Sequence, residues 1–357
     1  MKRISLATIV ALAMATEVLP MTPTPVRLPV EGDFPTLAGA TSWINSPPLT
    51  PESLRGKVVL VDVWTYTCIN WLRTLPYIRA WAAKYKDKGL VVIGVHSPEF
   101  EVEKDVDNIR RAVTNMGIVY PVAVDSNLAV WRAFDNSYWP ALYLIDAKGH
   151  IRYHYFGEGE YEATERAIQQ LLTEADATGI DQGLAKIEPI GPEVAADWSN
   201  LKSGENYVGY ARTEGFASPG GAVRDKSHIY SSPAHLRLNQ WALTGNWTMG
   251  PQETVSNASN AKITYVFHAR DLHVVMGPAT ATKGKPVRFR VLIDGHPPGP
   301  AHGTDVDEQG NGTAKEQRLH QLIRQPMGAD GRGRIEDHEF QIEFFDSGVL
   351  TLAFTFG

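Results

Sequence analysis

The 357-residue chain has a single cysteine, Cys68. It forms no internal disulfide, so a small cross-linked scaffold is excluded. It has no basic block and a net charge of −6, so nucleic acid is not an expected partner. No apolar run approaches the roughly 20 residues that a bilayer-crossing helix needs, and no stable membrane span is expected. Tight metal-ligand spacing is also missing. His228, His235, His268, His273, His296, His302 and His320 are scattered over several expected strands and loops, so neither a metal nor a cofactor is expected. There is no internal repeat.

What is present supports cores. Hydrophobic residues make up 43% and charged residues 21%, a globular balance, and the length suits two domains of roughly 100–200 residues each. At the N-terminus, Lys2 and Arg3 precede the apolar run "ISLATIVALAMA", Ile4 to Ala15, which ends in Ala13-Met14-Ala15. Charge, apolar core and small residues in that order form a secretory signal. The expected signal peptide is 1–15, and the protein is expected to be exported, periplasmic or secreted.

The Pro-rich stretch 16–55 reads as an extended leader and first hairpin. From 56 to 176, strands alternate with helices. "GKVVLVDVWTY" is a strand buried on both faces, and Leu72, Leu75, Ile78, Ala82 and Tyr85 recur at helical spacing. "GLVVIGVHS" is a second strand, 101–117 a charged helix, and "ALYLIDAKGHIRYHYFG" a hairpin turning at Ala147-Lys148-Gly149. This half is α/β. Residues 177–196 read as a linker. From 197 to 357 alternating strands such as Pro286–Asp294, His338–Asp346 and Val349–Gly357 predict an all-β sandwich of jelly-roll type.

The chemistry concentrates in "WTYTCINWLRTLP", Trp64 to Pro76. Cys68 is expected at the first turn of a helix beginning near Asn70. Unpaired N–H groups and the helix dipole there lower a thiol below its free value of about 8.5 and make it a nucleophile. Strand C-termini of a parallel sheet share one edge, so His96 and Glu99 of "GVHSPEFE" are expected beside Cys68, with Glu99 as a proton relay. Trp241 and Trp247 are assigned to the sandwich core, with a sugar-stacking face as the alternative. The loop Asp305 to Glu316, "DVDEQGNGTAKE", has the spacing of a calcium loop but no preceding helix, and is read as a solvated acidic loop.

Asp62 lies six residues before Cys68 and Trp64 four before it. Pro76 lies eight after it, and Trp139-Pro140 precedes the strand "ALYLID". On these residues the chain resembles the thioredoxin superfamily over about residues 24–176, in particular the exported TlpA/ResA-like redoxins and the thioredoxin module of DipZ-like proteins. The C-terminal half resembles the carbohydrate-module-like sandwich attached to that module. The resemblance implies a thioredoxin-like fold with Cys68 as nucleophile and Asp62 as a buried carboxylate in proton transfer. It places a cis Pro140 against the sulfur, in a substrate groove formed by Trp64, Trp71, Trp139, Pro140 and His96. It also puts Glu99 roughly where ResA-type proteins keep a functional carboxylate.

The departure is Trp71, which stands where the family motif C-x-x-C has its second cysteine. Three uses of one sulfur are open: exchange with protein thiols or disulfides, completed by an external resolving thiol; peroxide reduction through a sulfenic acid, an antioxidant role; or a redox-silent scaffold binding a peptide or glycan. For the peroxidase, Thr65 matches the peroxiredoxin pattern and Val61 does not. The expected function is an exported redoxin-type thiol oxidoreductase with a one-cysteine cycle, whose C-terminal sandwich binds a glycan or protein ligand.

Overall fold

The computed structural model describes residues 27–279, 284–326 and 335–357; the expected signal peptide lies outside them. The first unit runs β1 (Gly32–Asp33), β2 (Ser42–Ile44), β3 (Val58–Trp64), α1 (Ile69–Tyr85), β4 (Leu90–His96), α2 (Val106–Asn115), β5 (Val122–Val124), α3 (Ala129–Ala133), β6 (Ala141–Ile145), β7 (His150–Phe156) and α4 (Tyr161–Glu174). Its sheet order is β1-β7-β6-β3-β4-β5-β2. β3, β4 and β5 are parallel, and β6 and β7 form the antiparallel hairpin.

Every residue of β3 is buried, because its two faces pack against different layers. Val58, Leu60 and Trp64 join a cluster with Leu75 and Ile78 of α1 and Ile168 and Leu171 of α4. Val59, Val61 and Val63 join one with Leu37, Leu54, Val130 and Phe134. The period of two along the strand sorts them.

Two sequence expectations are corrected. Among the described residues the leader forms no hairpin: β1 pairs with β7 and β2 with β5, at opposite edges of the sheet. The charged segment 101–117 is not one helix. A 3-10 turn over Glu101–Lys104 ends at Asp105, whose carboxylate accepts from the N–H groups of Asp107 and Asn108 and starts α2. A short acidic side chain at this point gives α2 its own N-cap.

The second unit contains β8 (Asn206–Tyr207), β9 (Ser227–Tyr230), β10 (Trp241–Met249), β11 (Thr254–Ser256), β12 (Ala261–Phe267), β13 (Asp271–Pro278), β14 (Val287–Ile293), β15 (Asn311–Ala314), β16 (Arg318–Arg324), β17 (His338–Phe344) and β18 (Val349–Phe356). All named pairings are antiparallel, in the order β15-β14-β17-β12-β10-β11-β18-β13-β16. The N-terminal half of β10 pairs with β12 and its C-terminal half with β9 and β11, so β10 turns the corner between two sheets. Gly245 sits at that corner with φ +95, and a Cβ there would meet the Ala261 Cα at 3.3 Å. The sheets face each other through rings such as Tyr265 and Phe354, 5.0 Å apart. Trp241 and Trp247 are fully buried in this core.

The units are joined closely. In the segment between them the Ala185 N–H donates to the Glu165 carboxylate, and Glu193 pairs with Arg79 of α1 at 2.6 Å. β13 is buried throughout. Leu272, Val274 and Met276 serve the sandwich core, whereas Val275, with Leu319 and Leu352, joins the cluster of Tyr66, Ile69, Leu72 and Phe100 around the start of α1.

Candidate active site

After β3 the chain turns over Thr65–Cys68, closed by the Cys68 N–H on the Thr65 carbonyl at 3.2 Å. Cys68 is the N-cap of α1, with extended backbone, and its carbonyl accepts the Leu72 N–H at 3.0 Å. The helix therefore starts where the sequence places it.

The acidity of the sulfur is not as the sequence predicts. Cys68 is half-buried as a residue, but the protein around its sulfur makes burial the largest influence on its pKa, and it acts upward. The Trp71 N–H opposes this. Glu205 and Glu99 add to it by repulsion, and the Asn70 N–H opposes again. The net result is a thiol held above its ordinary pKa, not below. The helix N-terminus supplies the expected N–H groups, but the covering apolar cluster and two carboxylates outweigh them.

Trp71 takes the place of the second cysteine in three dimensions as well. Its indole stacks on Trp64 with ring centroids 4.1 Å apart, and its Nε1–H donates to Asp62 Oδ2 at 2.9 Å. Burial raises the Asp62 pKa to about 7, against the lowering effect of that hydrogen bond. Gly94 gives Trp64 its space, since a Cβ there would lie 2.8 Å from the indole nitrogen. Trp64 and Trp71 are 0% exposed. The expectation that they line a substrate groove is corrected: they are core.

His96 ends β4 opposite Trp64. Its ring meets the edge of Trp64 at 4.8 Å and stacks on Tyr66 at 5.6 Å. It is 0% exposed, and burial lowers its pKa to about 3. It is a neutral buried imidazole and not a groove residue.

The Trp139–Pro140 peptide bond is cis. Pro140 directly precedes Ala141, which pairs with Val63, so it lies at the sheet edge from which Cys68 emerges. Trp139 is half-buried, donates its indole N–H to the Ser97 carbonyl at 2.9 Å and packs on Trp131 at 4.2 Å.

Glu99 faces the second unit. Its Oε1 accepts from the Tyr207 hydroxyl at 2.7 Å and from Arg212 Nη1 at 2.8 Å. The fully buried acid of this loop is Glu103, which accepts from the Thr67 hydroxyl at 2.5 Å and from the N–H groups of Glu99 and Phe100. Sequence reasoning missed Glu103, although its place three residues after Phe100 is that of a capping acid. It also missed Glu205, Tyr207 and Arg212, whose contact with Glu99 spans more than 100 residues and has no local signature.

In the acidic loop, Asp305 pairs with Arg318 and accepts the Gln321 N–H, and Asp307 accepts the Asn311 N–H. Among the described residues no group of three or more His, Cys, Asp or Glu is arranged to hold a metal. Among them, too, no helix is long and apolar enough to cross a membrane.

Comparison with known proteins agrees with the two-part reading. Residues 40–172 match the family model described as Redoxin, and residues 203–357 match that of a thioredoxin-like C-terminal domain. Protein DipZ of Mycobacterium tuberculosis is 40% identical over 271 residues, covering 74% of this chain and 37% of its own; the chain thus spans little more than a third of that relative. The thiol-disulfide oxidoreductase YkuV of Bacillus subtilis is 31% identical over 144 residues, which are 40% of this chain and 96% of its own. A solved thioredoxin-like protein in its oxidised form shows 31% identity over 40% of this chain and 96% of its own, with a TM-score of 0.38.

Proposed function

Because the chain belongs to the redoxin branch of the thioredoxin superfamily, we propose that it is a thiol–disulfide oxidoreductase acting through Cys68 alone. The observation that carries this reading is the placement of Cys68, half-buried as a residue, at the N-cap of α1, on the sheet edge where the cis Trp139–Pro140 peptide lies. The Cys68 thiolate attacks one sulfur of a partner's disulfide. That S–S bond breaks, one partner sulfur leaves as a thiolate that takes a proton from water, and a mixed disulfide remains. An external thiol then attacks it and frees Cys68. Trp71 has no sulfur for an internal resolving step, and its N–H holds one oxygen of Asp62.

Export is part of the same proposal and rests on Lys2, Arg3 and the apolar run ending at Ala15. The test is a fluorescent mixed-disulfide peptide reporter reduced in the presence of glutathione. Wild type accelerates the reduction, and mass spectrometry finds a reducible adduct on Cys68. Cys68→Ser abolishes both. Equal rates for wild type and Cys68→Ser would end this reading. They would favour a redox-silent binding scaffold, which the upward pull of burial on the thiol supports.

A further inference from the structure

β8 brings residues of the all-β unit to the thiol. Its alternation is clear: Asn206 turns inward, donating to the Glu214 carbonyl and the Tyr265 hydroxyl, and Val208 enters the sandwich core. Glu205 and Tyr207 therefore turn the other way, toward the first unit. Tyr207 joins the apolar cluster that includes Cys68, and its ring lies 6.0 Å from Phe100. Its hydroxyl lies 2.7 Å from Glu99 and 3.2 Å from Glu205, holding two carboxylates from different units beside one phenol. Arg212 packs its guanidinium over the Tyr207 ring at 3.4 Å and pairs with Glu99. The charged groups that act on the thiol are Glu205 and Glu99, both negative; Arg212 is the positive group paired with Glu99.

We propose that Glu205, supplied by the second unit, is a positioning residue of the thiol site: its charge restrains ionisation of Cys68 and favours disulfides flanked by positive charge. The inference rests on Cys68 being the reacting group. A negative carboxylate near a thiol opposes formation of a second negative charge. A cationic partner screens the pair, so attack proceeds best on the disulfide that brings the cation. In that step the thiolate bonds to one sulfur, the S–S bond breaks, and the departing half leaves as a thiolate that takes a proton from water. β8 itself is anchored by Asn206 and Val208, so the backbone that carries Glu205 is a fixed part of the site wall.

The experiment uses the full chain and two independent reactions. Alkylation of Cys68 by neutral iodoacetamide and anionic iodoacetate is followed against pH and salt. Exchange is followed with cystamine, a dication, and 3,3′-dithiodipropionate, a dianion. In wild type at low salt, the preference for iodoacetamide exceeds that of a free cysteine peptide, and cystamine outpaces the dianion. Glu205→Gln lowers the alkylation midpoint by about one pH unit, a tenfold rise in thiolate fraction below it, and narrows both preferences. Tyr207→Phe, which keeps every charge, leaves them in place.

Unchanged midpoint and ratios in Glu205→Gln overturn the proposal. If that variant does not fold, an iodoacetamide preference in wild type no greater than the free peptide's and indifferent to 0.5 M salt overturns it equally. A chain that exchanges with neither disulfide while its alkylation responds to Glu205→Gln loses the oxidoreductase reading and the substrate preference, but keeps the carboxylate's effect on the thiol.

Discussion

The indole N–H of Trp71 donates to Asp62 Oδ2 at 2.9 Å. This one bond links the residue that stands in place of the second cysteine to the acid that family members keep beneath their sulfurs. It satisfies one oxygen of a carboxyl group that is fully buried and leaves Oδ1 without a protein partner.

Trp71→Phe keeps a ring against Trp64 and removes the indole donor to Asp62. Losing a buried hydrogen bond of this kind costs about 1–3 kcal/mol, read as a lower denaturation midpoint in urea. The Asp62 pKa rises further, because the bond from Trp71 is the influence that lowers it. Trp71→Ala adds a cavity and costs about 3–5 kcal/mol.

Asp62→Asn separates the charge from the shape. The folded pKa of about 7 lies above the ordinary carboxyl value of 3.8, so the protonated form is the one the fold favours. Its contribution is fully present below the unfolded pKa and is lost as pH rises through 7. Asp62→Asn therefore gains on wild type between pH 4 and pH 8, by a margin on the order of a few kcal/mol. Guanidinium denaturation at both pH values measures that margin; a constant difference would show that the carboxyl is not strained by ionising.

His96 titrates in the opposite sense. Its folded pKa of about 3 lies below the ordinary imidazole value of 6.5, so the fold favours the neutral ring. That stability is present above pH 6.5 and is lost as pH falls toward 3. His96→Phe, which keeps the stacking with Tyr66 and Trp64, makes the protein more resistant to acid than wild type, by on the order of a few kcal/mol at pH 3. Stability curves across pH 3–7 check it.

Gly245→Val tests the corner of β10. The backbone there has φ +95 and the Ala261 Cα would lie 3.3 Å from a Cβ. A β-branched residue in that conformation costs about 1–3 kcal/mol, and a thermal melt shows it as a lower Tm. The alkylation midpoint of Cys68 stays where it is, because Gly245 and its neighbours Ala261 and Tyr230 are not among the groups that act on the thiol.

Much of the architecture was legible in the chain. The apolar run Val58–Trp64, the helix start after Cys68, the turn at Ala147-Lys148-Gly149 and the final strands lie in the structure within a residue or two of their expected places. Each follows from short-range patterns: burial on two faces, helical spacing and turn residues. The split of 101–117 at Asp105 was readable too, since an acid preceding a helical segment is a cap. The displaced first hairpin was not, because β1 and β2 depend on partners, β7 and β5, far along the chain.

The sequence by itself determined that one sulfur stands at a helix N-terminus and that Trp71 replaces its partner; both are properties of adjacent residues. Only the tertiary structure decided how readily that sulfur ionises. Acidity depends on the medium and on nearby charges, and here these include Glu205 and a cluster shared with Leu319, Leu352 and Tyr207, all more than 100 residues away.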